Sequence, residues 1–159
     1  MISKEDYKSL FSTWERVLDM QTKDLGQDDL LIQPQPGGNC MLWVLGHIVN
    51  SLGEVVNELG GGLTPATVKT YDRFAPGSEP VLGYEKDLPE LEKIKEDFVT
   101  LSKIAIQALD EMSEEFFAQE AGHGQTKGGS LLFSAFHLSY HIGQLEYLRN
   151  LAGKTEKVI

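Results

Sequence analysis

Apolar residues recur at helical spacing along four stretches of the chain. In the first, Ser3 to about Leu25, the residues Tyr7, Leu10, Phe11, Trp14, Val17 and Leu18 fall on one stripe. Ser3 followed by Asp6 predicts a capping box with Asp in place of Glu. The second stretch runs from Cys40 to Leu59, with Asn39 placed to cap it and Gly60-Gly61-Gly62 to end it. The third runs from about Pro89 to Met112, proline suiting the first helical position, with Leu91, Ile94, Phe98, Leu101, Ala105, Ala108 and Met112 as its stripe. The fourth runs from about Ser130 to Ala152, and Gly153 supplies the stop. Four helices of roughly 20 residues predict an all-α four-helix bundle, read as a single domain over residues 1–159. No period-two run predicts a strand, although Val81-Leu82-Gly83-Tyr84 could pair briefly.

The links carry the turn formers. Residues 26–38 hold two prolines and three glycines, and residues 113–129 hold Gly122-His123-Gly124 and Gly128-Gly129. The link 61–88 is long for a compact domain, and such loops often cover a site. It is expected to shape access to one, with Tyr71, Arg73 and Tyr84 as candidate lining residues and His123 as a candidate lid residue.

Polar residues interrupt two of the apolar runs. His137 and His141 lie four apart, so on a helix they project from one face about one turn apart, with Ser134 and Gln144 along the same face. His47 lies mid-way along the second run, on a face shared with Cys40, Val44 and Ser51. Three inward imidazoles without partners would cost roughly 1–3 kcal/mol each. A shared metal ion removes that cost, because each neutral nitrogen becomes a ligand. Hydrogen-bonded core histidines are the other reading of this spacing. The H-x-x-x-H pattern lacks the glutamate of H-E-x-x-H and so carries no built-in general base. Asn50 and Glu54 follow His47 by three and seven residues; Glu54 is a candidate base, against a solvated helix face. Gln144 is a candidate for holding a bound water or orienting His137, against a satisfied polar core residue joining helices. Cys40 sits where a helix dipole lowers a thiol pKa, against a small buried hydrophobe. Trp14, Trp43 and Phe136 read as core packing, and the charged run Glu90–Asp97 as a solvated face.

Composition narrows the partners. A net charge of −10 argues against a nucleic-acid backbone or an anionic membrane surface. No apolar run reaches the length of a membrane span, and the N-terminus has no signal pattern. A single cysteine forms no internal disulfide, which points to a reduced, cytoplasmic setting. Phe11 and Trp14 on the first helix, with Phe133, Phe136, Tyr140 and Tyr147 on the fourth, exceed what one stripe buries and predict a homodimer.

The run His137-Leu138-Ser139-Tyr140-His141-Ile142-Gly143-Gln144-Leu145-Glu146-Tyr147-Leu148-Arg149 is similar to the H-x-x-x-H-x-G-Q-x-x-x-L-R signature of the DinB/YfiT-like superfamily of small four-helix proteins. The stretch Asn39 to Ile48 resembles that family's second-helix pattern of a polar cap, a Trp, and L-x-H before an aliphatic. The resemblance covers essentially the whole chain. It implies His47, His137 and His141 around one divalent ion, nickel or zinc, and a tendency to dimerise. Ile142 departs from the family, where many members carry Arg or another polar residue, which implies an altered pocket rim. Relatives include thiol S-transferases using bacillithiol, mycothiol or glutathione, a thiol-dependent maleylpyruvate isomerase, and many members with no assigned reaction. Three protein ligands leave a position open, the arrangement of catalytic sites. The expected function is therefore a metal-dependent enzyme on a small-molecule substrate, a thiol S-transferase or hydrolase, with a low-molecular-weight thiol as the candidate second cofactor that the resemblance implies. The alternative is a non-enzymatic metal- or ligand-binding stress protein.

Overall fold

The capping box forms. In the computed structural model, which describes residues 3–63 and 69–158, the Ser3 hydroxyl accepts from the Asp6 N–H at 3.1 Å and the Asp6 carboxylate accepts from the Ser3 N–H at 2.9 Å. Two of the orphan N–H groups at the start of helix α1 (Lys4–Thr22) are thereby satisfied. The other long helices are α2 (Met41–Glu58), α3 (Leu91–Glu111) and α5 (Lys127–Leu151), with a short α4 (Glu114–Ala118) between the last two. A small antiparallel hairpin, β1 (Glu120–Gly122) and β2 (Gln125–Thr126), turns through His123, whose φ of 53° lies in the left-handed region.

The four long helices make the expected all-α bundle. Helices α1 and α2 each pack on both α3 and α5, so α1 and α2 stand diagonally opposite. Each stripe closes on one shared core: Phe11, Trp14, Val17 and Leu18 from α1, Ile94, Phe98 and Leu101 from α3, and Leu138, Ile142 and Leu145 from α5. Helix α2 is buried almost all round, as its nearly unbroken apolar run requires. Tyr71, Phe74 and Val81, from the link after it, cover the side that no long helix occupies. Arg149, buried near the end of α5, donates through Nη1 to the carbonyls of Gln21 at 3.3 Å and Lys23 at 2.5 Å. It ties α5 to the C-terminus of α1, where carbonyls lack helical partners and a cation is favoured.

Several local expectations shift. The N-cap of α2 is Cys40 rather than Asn39, and no side chain bonds the first turn. Helix α3 begins at Leu91 with Glu90 as cap, so Pro89 lies outside it. Helix α5 begins three residues earlier than the apolar pattern suggests: Thr126 caps it through the Gly129 N–H at 3.1 Å and draws Gly128-Gly129 into the first turn. Val81–Tyr84 forms no strand. Val81 is buried and its carbonyl accepts from the Gln33 amide at 2.9 Å and the Cys40 thiol at 3.4 Å, while Leu82 and Tyr84 face outward. Phe136 is not core but 65% exposed, because α5 carries a second apolar face away from the bundle. Phe11 and Trp14, counted as surplus on α1, are fully absorbed by the core. Among the described residues, no helix is long and apolar enough to cross a membrane.

Candidate metal centre

His47 sits at the middle of α2 with 2% of its surface exposed, and the surrounding residues dictate how its ring lies. Gly46 has no side chain, and the Phe74 ring occupies the space where a Cβ would be. That close approach brings the short helical turn Asp72–Phe74 down onto α2, and the Phe74 carbonyl lies 2.8 Å from His47 Nδ1. A carbonyl only accepts, so Nδ1 carries the proton and Nε2 presents a lone pair. Trp43, one turn earlier, stacks on the imidazole with centroids 4.8 Å apart and planes at 19°. The Trp43 indole N–H donates to Ser78 Oγ at 3.0 Å, so the same link holds the stacking partner too.

From α5, His137 and His141 project one turn apart toward His47. The ring centroids stand 5.1 Å (His47–His137), 4.6 Å (His47–His141) and 4.5 Å (His137–His141) apart, all near edge-to-face. One ligand nitrogen from each lies within 4.8 Å of the others. The Nε2 atoms of His47 and His137 are 3.0 Å apart. The His141 Nδ1–H donates to Gln144 Oε1 at 2.8 Å, and Gln144 Nε2 donates to the Tyr140 hydroxyl at 3.3 Å. Gln144 thus directs the His141 Nε2 lone pair toward the other two rings, rather than serving His137.

Burial, with a smaller contribution from neighbouring imidazoles, pushes His137 below the ordinary histidine value and His141 down to about 4. Neutral rings are the form that binds metal. The donor set therefore fits a divalent ion on three counts: three convergent neutral nitrogens, tautomers set at His47 and His141 by hydrogen bonds on the far nitrogen, and no carboxylate consuming the charge. Without a cation the 3.0 Å Nε2 pair needs His137 to donate into the His47 lone pair. No other group of three His, Cys, Asp or Glu could hold an ion among the described residues.

The remaining candidates lie elsewhere. Glu54 is exposed and borders a separate hollow with Asn57 and Asp72, so it is no base for this centre. Asn50 donates to the Tyr71 carbonyl at 3.2 Å. The Cys40 thiol is buried against Val81, and His123 lies exposed at the hairpin turn. Tyr71 bonds Asp97 at 2.9 Å, and Arg73 pairs with Glu85 at 2.7 Å, which holds that carboxyl below its usual range. Ile142 is buried in the core and so leaves the rim unaltered. A cleft of about 460 Å³ does open beside His141, but residues 34–39 rim it, whereas Phe74 and Ser78 of the long link reach His47 and Trp43 instead. The roles of Phe74 and Ser78 were not visible from spacing; the one signal was a glycine directly before His47, which leaves room for a ring.

The family profile of the DinB superfamily matches residues 10–145, a span that includes all three histidines and Gln144. The chain belongs to the DinB superfamily. No curated protein matches it. Proteins of the superfamily are metal-associated, in keeping with the three imidazoles brought together here.

Proposed function

We propose that this DinB-superfamily protein binds one divalent metal ion, nickel or zinc, through His47, His137 and His141, and uses it as a metal-dependent enzyme on a small molecule. The observation that carries this reading is the pair of hydrogen bonds on the far nitrogens, Phe74 to His47 and Gln144 to His141, which leave Nε2 unprotonated on both rings. A His47–His137 hydrogen bond engages only two of the three rings, whereas an ion engages all three. Bound there, a divalent ion supplies Lewis acidity toward water or a thiol, which suits a hydrolase or a thiol S-transferase. The protein's share is to hold three neutral donors, leave the cleft side open and keep carboxylates away. Elemental analysis of untagged protein tests the reading: about one metal per chain is expected, with loss in His141→Ala. Equal content in both proteins would reject the ligand assignment.

The chain is also proposed to act as a homodimer through α5. Phe133 and Phe136 are both more than half exposed, on the side of that helix away from the core, while Tyr140 and Tyr147 line the cleft beside His141. Helix α1 takes no part in this surface, since its aromatic residues are buried.

A further inference from the structure

The cleft beside His141 carries no charged side chain among its described lining residues, although the chain as a whole carries a net charge of −10. Trp43, Tyr140 and Tyr147 supply aromatic surface, and Pro34, Gly38 and Asn39 belong to the rim. The polar atoms of Gln144 are already engaged by His141 and Tyr140. Gly38 keeps the rim in place: its φ of +128° favours glycine, and a Cβ there would press on Pro34 Cγ at 3.2 Å. A volume of about 460 Å³ suits a molecule of one or two rings. Resting on the metal reading above, we infer that this cleft takes a largely apolar, aromatic small molecule, uncharged apart from the single donor atom it presents at its His141 end, such as an arylalkyl thiol.

The physical ground is an asymmetry of costs. An aromatic body gains by leaving water for the faces of Trp43, Tyr140 and Tyr147. A carboxylate entering the same space gives up its hydration and meets neither Lys nor Arg in the lining. A peptide thiol with several carboxylates therefore finds no complementary partner, whereas a neutral ring bearing one thiol does.

The test titrates zinc-loaded full-length protein with benzyl mercaptan and with its para-carboxylate derivative, which share donor and ring and differ only in charge. Calorimetry is expected to show benzyl mercaptan binding about tenfold more tightly. Tyr147→Ala, on the wall and outside the histidine cluster, is expected to weaken that binding roughly fivefold at unchanged zinc content. Equal affinities, tighter binding of the carboxylate, or an unaffected Tyr147→Ala would overturn the inference. The same titration on metal-free protein follows the Trp43 indole signal by NMR and separates the two readings. A shift with benzyl mercaptan in protein that takes up no zinc keeps the cleft and rejects the metal. Tight zinc uptake with the carboxylate preferred keeps the metal and rejects the cleft.

Discussion

A methyl group at Gly46 has no room, because the Phe74 ring lies where the Cβ would be built. The ring is rigid and buried, so relief requires moving the turn that carries the Phe74 carbonyl away from His47. Gly46→Ala should therefore cost about 1–3 kcal/mol in urea unfolding, as overpacking does. It should also weaken zinc binding; an unchanged affinity would show that the Phe74 bond does not orient His47. Gln144 permits a cleaner separation, because it is only partly buried and its bonds serve the site. Gln144→Leu is expected to lower metal affinity by about 10–100-fold, the usual effect of removing the partner that orients a ligand. Its thermal stability without metal should stay close to wild type. A variant equally destabilised with and without metal would assign Gln144 a packing role.

Helix α5 does three jobs on three sides. Leu138, Ile142 and Leu145 face the core, His137 and His141 face the site with Tyr140 and Tyr147 along its cleft, and Phe133 and Phe136 face outward. Gly143 follows Phe136 by seven residues, about two turns along the helix, and a Cβ there would meet nothing within 4 Å. Such an outward face on a long, well-anchored helix suits a second copy. Light scattering at micromolar concentration should give a dimer mass for wild type and a monomer mass for Phe136→Asp with metal content retained. A monomeric wild type would count decisively against the dimer. The lock between α5 and α1 is testable as well. Arg149→Ala removes the guanidinium from the carbonyls of Gln21 and Lys23 and is expected to cost about 1.5–3 kcal/mol, the range for hydrogen bonds to a charged group.

For the molecule as a whole, four apolar stripes form a continuous core that does not depend on the histidines. Chelation should lower the melting temperature while leaving far-ultraviolet helicity intact, in contrast to zinc fingers, which unfold without metal. Loss of helicity on chelation would make the metal structural. Acid should act on the metal-free fold through the same cluster. Burial holds His141 at about 4 and His137 also below the ordinary value, whereas unfolded imidazoles titrate near 6.5. Between those values the unfolded chain binds more protons than the folded one. The stability from keeping these rings neutral is therefore complete above about pH 6.5 and is lost as pH falls toward about 4. Melting temperatures of metal-free protein between pH 7 and pH 5 should fall, and less steeply in His141→Gln.

What can be read along the chain is whatever repeats within a few residues. The capping box at Ser3 and Asp6, the four apolar stripes and the i, i+4 pair of His137 and His141 are local patterns, and each appears in the fold as helix geometry requires. His47 could be placed mid-helix by the same logic, and its grouping with the other two rested on resemblance as much as on spacing. Contacts across long sequence separations were beyond that reach. Periodicity marks a face as apolar but does not say what covers it, so Phe136 and Trp14 looked alike, yet one is exposed and the other buried. The diagonal placing of α1 and α2 depends on how three-dimensional packing distributes four stripes, and it leaves one side of α2 to be covered by Tyr71, Phe74 and Val81. The Phe74 carbonyl, 27 residues beyond His47, reaches the imidazole only because that side was left open and Gly46 has no side chain to obstruct it. The cleft likewise takes its rim from residues 34–39 because the start of α2 lies beside α5 in space, a proximity that no local pattern encodes.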